Sequence, residues 1–420
     1  MRRRVLCSFA LVALATVVSP VSSAGVPAVA EPIPNARLQH IPHPAVAPPI
    51  HPAPGECAAL VQFDAIAATV TLNFYDRTFR GLPWPERVKH FRHEIKCADG
   101  PDRIAAVANA LFSELKASHT GVYTADDLTY WALESFFSHS IDDHPVNFSG
   151  IWPVRRDHEW FARYVLQGSP AQHAGVLPGD ELISINGRPY QPLGFRGGKT
   201  AAFVVSEDGR TRLTLYVKAK KQGMQRFFFV ATRDSERIEQ IQGHAVGYFH
   251  LWSGAGPLFL KALNGALANF ERHHISALIL DLRGGYGGAG PPYLEKLRHD
   301  PYFRHVYKVA LIDHGTRSGK ELVAAIIKHD HLATLVGSRT AGAFLGASTV
   351  RLFNNLYLVE VAIGHYVPPG IGEIEGVGVQ PDVPVAPCIR FCRGRDPQMA
   401  AALRLIRRHL ARVRSLHRSG

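Results

Sequence analysis

The chain has 420 residues, 46% of them apolar, which is enough for two or three domains with real cores. Its formal charge is +12, but Arg2–Arg4 carry three of those charges and the segment from Arg393 to Gly420 carries a net seven, so the body is nearly neutral. That distribution argues against a nucleic-acid partner and reads the basic tail as a solvated face.

In chain order, Arg2–Arg4, the apolar run Val5–Val18 and the small residues Ser22-Ser23-Ala24 predict a secretory leader over 1–24. The run is too short to span a bilayer, and no later stretch reads as transmembrane. Export to a periplasm or beyond is therefore expected, with no integral membrane segment after cleavage. Residues 25–56 are rich in Pro, Ala and His and read as an extended linker, with His40, His43 and His51 solvated. Four cysteines remain after the leader. In an oxidising compartment the local pairing is Cys57 with Cys97 and Cys388 with Cys392, and no cysteine spacing suggests a metal site.

Residues 57–135 read as a helical region, from the three- and four-residue spacing of Phe63, Ile66, Val70 and Phe74 and of Ile104, Val107, Leu111 and Leu115. Ser118-His119-Thr120 follows the second run and enters an extended segment, Gly121-Val122-Tyr123. That junction lets His119 face a cleft. Residues 148–219 read as a β-rich insertion: Pro178-Gly179-Asp180 is a turn, Leu182–Ile185 a strand, and Asn186-Gly187 a hairpin signal.

Residues 235–390 read as α/β. Strands are expected at Val246–Trp252, Ala277–Asp281, Val306–Asp313 and Ala333–Val336, with helices at Pro257–Arg272 and Gly319–Lys328. Asn354-Asn355 joins two further strands as a hairpin. Residues 396–418 read as a basic amphipathic helix, free to pack on the body or on a second copy in a homo-oligomer.

Ser318 stands where a strand gives way to a helix, beside unpaired amide donors and the positive end of the helix dipole. The glycine-rich run Gly284–Gly290 can turn an amide toward an oxyanion. It also spells Gly285-x-Gly287-x-x-Gly290, a dinucleotide fingerprint with Asp313 near the ribose position. Pro291-Pro292 is an awkward helix start for that role, and an exported chain has no nicotinamide supply, so no cofactor and no metal are expected. The clusters His329-Asp330-His331 and His139 with Asp142 and His144 read as surface.

Jointly, Gly179-Asp180-Glu181-Leu182-Ile183-Ser184-Ile185-Asn186-Gly187, Ala277–Gly285, Thr316–Glu321, Val336–Ala343 and Gly376-Val377-Gly378-Val379-Gln380-Pro381-Asp382 resemble the tail-specific, or C-terminal-processing, serine peptidases. The resemblance implies a multi-domain α/β chain: an N-terminal helical region, an inserted PDZ-like module, and an α/β catalytic core of the crotonase-like, tail-specific protease type. Ala343 occupies the position of the lysine in the family's serine–lysine branch. Ser118-His119 and Glu375 instead match the branch resembling the tricorn protease core. That resemblance implies Ser318 as nucleophile, His119 as general base, and Ser118 bridging His119 to Glu375, with Glu373 the rival acid. The Gly319 amide, with that of Gly287 or Gly288, would form the oxyanion hole. The PDZ-like module would bind protein or peptide C-termini. The alternative is an inactive ligand- or peptide-binding protein on the same scaffold; a third reading is a scaffold that tethers partners.

Overall fold

The computed structural model describes residue 45, residues 56–194 and residues 200–418. The expected leader, and the expected linker apart from Ala45 and Glu56, lie outside the described residues.

The N-terminal part is helical, with α1 (Ala58–Asn73), α2 (Trp84–Arg92) and α3 (Pro101–Ser113) leading into β1 (Gly121–Tyr123) and α4 (Leu128–Phe136). Phe63, Ile66, Val70, Ile104, Leu111 and Phe112 form one buried cluster, as their helical spacing predicts. A disulfide joins Cys57 to Cys97, with Cα atoms 5.5 Å apart.

The next region is β-rich. A short ladder of β2 (Val146–Phe148) with β9 (Lys220–Gln222) precedes and follows it in the chain. Between them lie β3 (Ile151–Arg156), β4 (Glu159–Val165), α5 (Pro170–His173), β5 (Glu181–Ile185), β6 (Arg188–Pro189), β7 (Thr200–Ser206) and β8 (Leu213–Lys218). The sheet order is β3-β4-β5-β7-β8, with β6 hairpinned onto β5 across Asn186-Gly187. Its core holds Ile151, Ala162, Leu182, Ile185, Phe203 and Val217.

After α6 (Met224–Asp234), the α/β part contains β10 (Arg237–Ile241), β11 (His244–His250), α7 (Pro257–Arg272), β12 (Ala277–Asp281), α8 (Glu295–His299), α9 (Pro301–His305), β13 (Tyr307–Ile312), α10 (Gly319–His329) and β14 (Thr334–Gly337). β10-β11-β12-β13-β14 form a sheet, parallel except at β10, closed by β17 (Val383–Pro384). Every residue of β12 is buried, as a parallel strand covered on both faces requires. The terminal helix α11 (Pro397–Arg418) lies on this sheet of its own chain through Ala401, Ala402, Ile406 and Leu410.

One hairpin departs from the expected division. β15 (Gly346–Leu352) and β16 (Tyr357–Gly364) fall inside the expected 235–390 core, yet β16 pairs antiparallel with β1. Tyr357, Val359 and Val361 are buried in the cluster of Phe63 and Leu111. The reason is composition. Val, Leu, Ala and Ile fill both faces of β16, and the N-terminal helices supply the second apolar face that it needs.

Candidate active site

The site forms where loops leave the carboxyl ends of parallel strands, the usual place for ligands in open α/β sheets. The loop after β13 carries Ser318, and the loop after β12 carries the glycine run.

Ser318 has φ 54° and ψ −135°, outside the regions that an L-residue prefers. Such strain persists only where surrounding bonds hold it. Glu321, fully buried one turn into α10, provides them. Its Oε1 accepts from the Thr340 hydroxyl and from Gly342 N (2.7 Å), and its Oε2 accepts from Ala343 N (2.7 Å) and Ser318 N (3.3 Å). One carboxylate thus clamps the 340–343 loop to the serine.

The glycine run packs directly on this turn. A Cβ on Gly287 would lie 2.8 Å from Ser318 Oγ, and a Cβ on Gly319 would lie 2.8 Å from Ala289 N and 3.0 Å from Gly288 N. Only glycine permits either approach. Lys320, fully buried, donates from Nζ to the carbonyls of Leu251 (3.1 Å), Trp252 (3.4 Å) and Gly284. Burial pulls its ammonium down to about 7, but these three carbonyls, not the Ser318 hydroxyl, are its partners. It is a staple for the glycine loop.

Asp313, at the end of β13, ties the two loops together. Its Oδ1 accepts from Gly315 N (2.8 Å) and Gly284 N (3.3 Å). Its Oδ2 accepts from Arg163 (2.6 Å) and the Tyr164 hydroxyl (2.7 Å), both on β4. The acid of the apparent dinucleotide fingerprint is therefore engaged by side chains of the PDZ-like module, and a 3-10 turn over Pro291–Leu294 follows the glycines.

His119 lies just before β1, with φ 54°. Asn109 fixes that strand as a surrogate neighbour, donating to Val122 O and accepting from Val122 N, each at 2.8 Å. The His119 Nδ1 lies 2.9 Å from Glu360 Oε1 and its Nε2 lies 3.3 Å from Ala343 O. Ser318 N donates to that same Ala343 oxygen at 2.8 Å. The imidazole and the serine backbone therefore meet at one carbonyl, 224 residues from the histidine in sequence. Burial would raise the Glu360 carboxyl, but the His119 imidazole and the Arg317 guanidinium outweigh it and hold it below the usual carboxylate range.

The expected relay is corrected in one link. Ser118 does meet Glu375: its hydroxyl donates to Oε2 and its amide to Oε1, both at 2.8 Å. Ser118 makes no hydrogen bond to the His119 ring among the described residues; Glu360 fills that position. The β1–β16 register, which sets Gly121 opposite Glu360, brings this acid beside the imidazole. Glu375 instead orders Ser118 and, through Phe344 N (2.7 Å), the loop after Ala343. Glu373 bonds His365 and Glu375 N on the exposed side. Glu360 had a visible signal: it is the lone acid in an otherwise apolar strand, and a buried carboxylate there needs a partner.

Among the described residues no cluster of His, Cys, Asp and Glu could hold a metal, and no helix is long and apolar enough to cross a membrane. The histidine clusters form ordinary pairs, His329 with Asp330 and His144 with Glu134.

Parts of the chain are similar to known proteins. Residues 295–385 match the model of Peptidase family S41, and residues 161–218 match the PDZ domain. The chain is 23% identical over 384 residues to a tricorn protease homolog 2 of Streptomyces coelicolor, covering 82% of this chain and 32% of that relative. It is 27% identical over 276 residues to a carboxyl-terminal-processing protease of Synechocystis, covering 57% of this chain and 63% of that one. The chain thus spans less than two thirds of the length of either relative. The photosystem II D1 C-terminal processing protease shares the fold, with a TM-score of 0.50 at 17% identity over 78% of this chain and 93% of that one. On these matches the chain is similar to the carboxyl-terminal-processing proteases and to Peptidase family S41, with its PDZ match ahead of its S41 match.

Proposed function

We propose that the protein is an exported serine endopeptidase acting through an acyl-enzyme. The observation that supports this reading is the His119–Glu360 pair, which sits against the same 343 loop whose Ala343 carbonyl accepts from Ser318 N. With Nδ1–H donated to Glu360, Nε2 holds the lone pair that a general base needs once it turns from the Ala343 oxygen to the Ser318 hydroxyl. The Ser318 hydroxyl attacks the scissile carbonyl carbon as its proton passes to Nε2. The Gly319 amide, with that of Gly287 or Gly288, receives the oxyanion. Collapse breaks the C–N bond, and His119 returns the proton to the leaving amine. Water then attacks the acyl-Ser318 ester by the same route in reverse. Ser118 and Glu375 position the 343–345 loop around the ring.

The PDZ-like module binds extended protein or peptide segments, and β3, an outer strand of its sheet, is the edge for strand addition. Its Trp152 packs 5.7 Å from Tyr286 of the glycine loop, so a segment on β3 runs toward the serine. The Cys57–Cys97 and Cys388–Cys392 disulfides suit a periplasmic or extracellular setting.

The alternative, a peptide-binding protein without hydrolysis, draws support from the Nε2–Ala343 contact, which occupies the nitrogen that should face the Ser318 hydroxyl. A fluorophosphonate probe and an unfolded protein substrate separate the two readings. The peptidase reading expects labelling and cleavage by the wild type and neither by Ser318→Ala. Equal cleavage by both, or an unlabelled wild type that binds the substrate intact, overturns it.

A further inference from the structure

Arg317 precedes Ser318, and its side chain makes no hydrogen bond or ion pair among the described residues. Its Nε is buried without a hydrogen-bond partner, and no acceptor reaches its terminal nitrogens among the described residues. Its guanidinium carbon lies 5.9 Å from the centre of the Tyr286 ring, on the glycine loop. The charges that face it are those of Glu360 and Glu321 and the phenols of Tyr286 and Tyr123. Both acids are committed elsewhere, Glu360 to His119 and Glu321 to the 340–343 loop. A buried guanidinium N–H left without an acceptor is costly, and folded chains rarely leave one unless something else completes it. A planar fork of N–H donors suits a carboxylate above other groups.

We propose that Arg317 determines specificity by pairing with a substrate carboxylate beside the scissile bond. The carboxylate comes either from an Asp or Glu side chain or from a free C-terminus a few residues away. Arg317 holds it against the Tyr286 wall while Ser318 attacks. This rests on the peptidase reading for its turnover arm, but substrate binding tests it separately.

The test uses quenched fluorescent peptides that differ only by Glu or Gln at each position within three residues of the cleaved bond, each with a free or an amidated C-terminus. For the wild type, kcat/KM for the carboxylate form exceeds that of its amide counterpart by about 10–100-fold at one position. In Arg317→Gln that ratio collapses toward one, and Arg317→Lys retains part of it. A preference tracking Glu over Gln assigns an acidic side chain, and one tracking the free over the amidated end assigns the terminal carboxylate. Binding of the same peptides to Ser318→Ala, read by fluorescence anisotropy, reports the same ratio without turnover. If hydrolysis is absent while this ratio holds, the peptidase reading fails and the carboxylate site stands. A wild type blind to the carboxylate in both assays, or an Arg317→Gln variant that keeps the full preference, overturns the proposal. Should Arg317→Gln not fold, the wild-type ratio and Arg317→Lys decide.

Discussion

His119 and Glu360 form a buried hydrogen-bonded pair, Nδ1 to Oε1 at 2.9 Å, between residues 241 apart in sequence. The proposed chemistry needs this acid more than the one tied to Ser118. Glu360→Gln is expected to lower kcat by about 10²–10⁴-fold by releasing the ring's tautomer and aim. Glu375→Gln, which leaves that pair intact, is expected to cost about tenfold or less. Steady-state kinetics on the two variants checks the order.

The same pair predicts acid sensitivity. Because Glu360 sits below its ordinary range in the folded chain, its contribution is present above the unfolded carboxyl value, about 4.3, and is lost as pH falls through the folded value. Urea midpoints measured from pH 6 down to pH 3 should fall more steeply for the wild type than for Glu360→Gln. Parallel curves would remove Glu360 from that role.

Gly287→Ala places a methyl 2.8 Å from Ser318 Oγ, whereas at Gly290 the nearest atom to an added Cβ is 3.9 Å away. The first substitution is expected to reduce kcat/KM by about 10²–10³-fold and the second to leave it within about threefold. Comparing kcat/KM with the thermal midpoint separates a distorted oxyanion loop from lost stability.

Lys320→Met removes the donor shared by three buried carbonyls. A cost of about 2–4 kcal/mol in denaturant unfolding is expected, with activity lost along with the Gly284 anchor. A variant as stable as the parent would show that the ammonium is not a staple.

Much of this was legible in the sequence, because the α/β part repeats strong periodic signals. The helix Pro257–Arg272 and the strand Ala277–Asp281 have the expected bounds. The Asn186-Gly187 hairpin needed only turn chemistry. The short strands β3, β4 and β7 were missed; a bulge at Trp152/Pro153 breaks the regular pairing of the first two. The pairing of β16 with β1 was illegible for another reason. It joins segments more than two hundred residues apart, and no local pattern encodes such a partner. Ser118, His119 and Glu375 were found through resemblance, and Glu360 was missed because that resemblance supplied another acid first.

The terminal helix sets where the α/β part can be cut. The S41 match ends at residue 385, yet Ile406 and Leu410 roof the sheet that bears the Ser318 and glycine loops. A fragment trimmed to the matched residues would expose bare apolar strands to water, at about 1.5–3 kcal/mol for each large side chain uncovered. The α/β part is therefore inseparable from its own arginine-rich tail, and a minimal soluble fragment must carry that tail through at least residue 410.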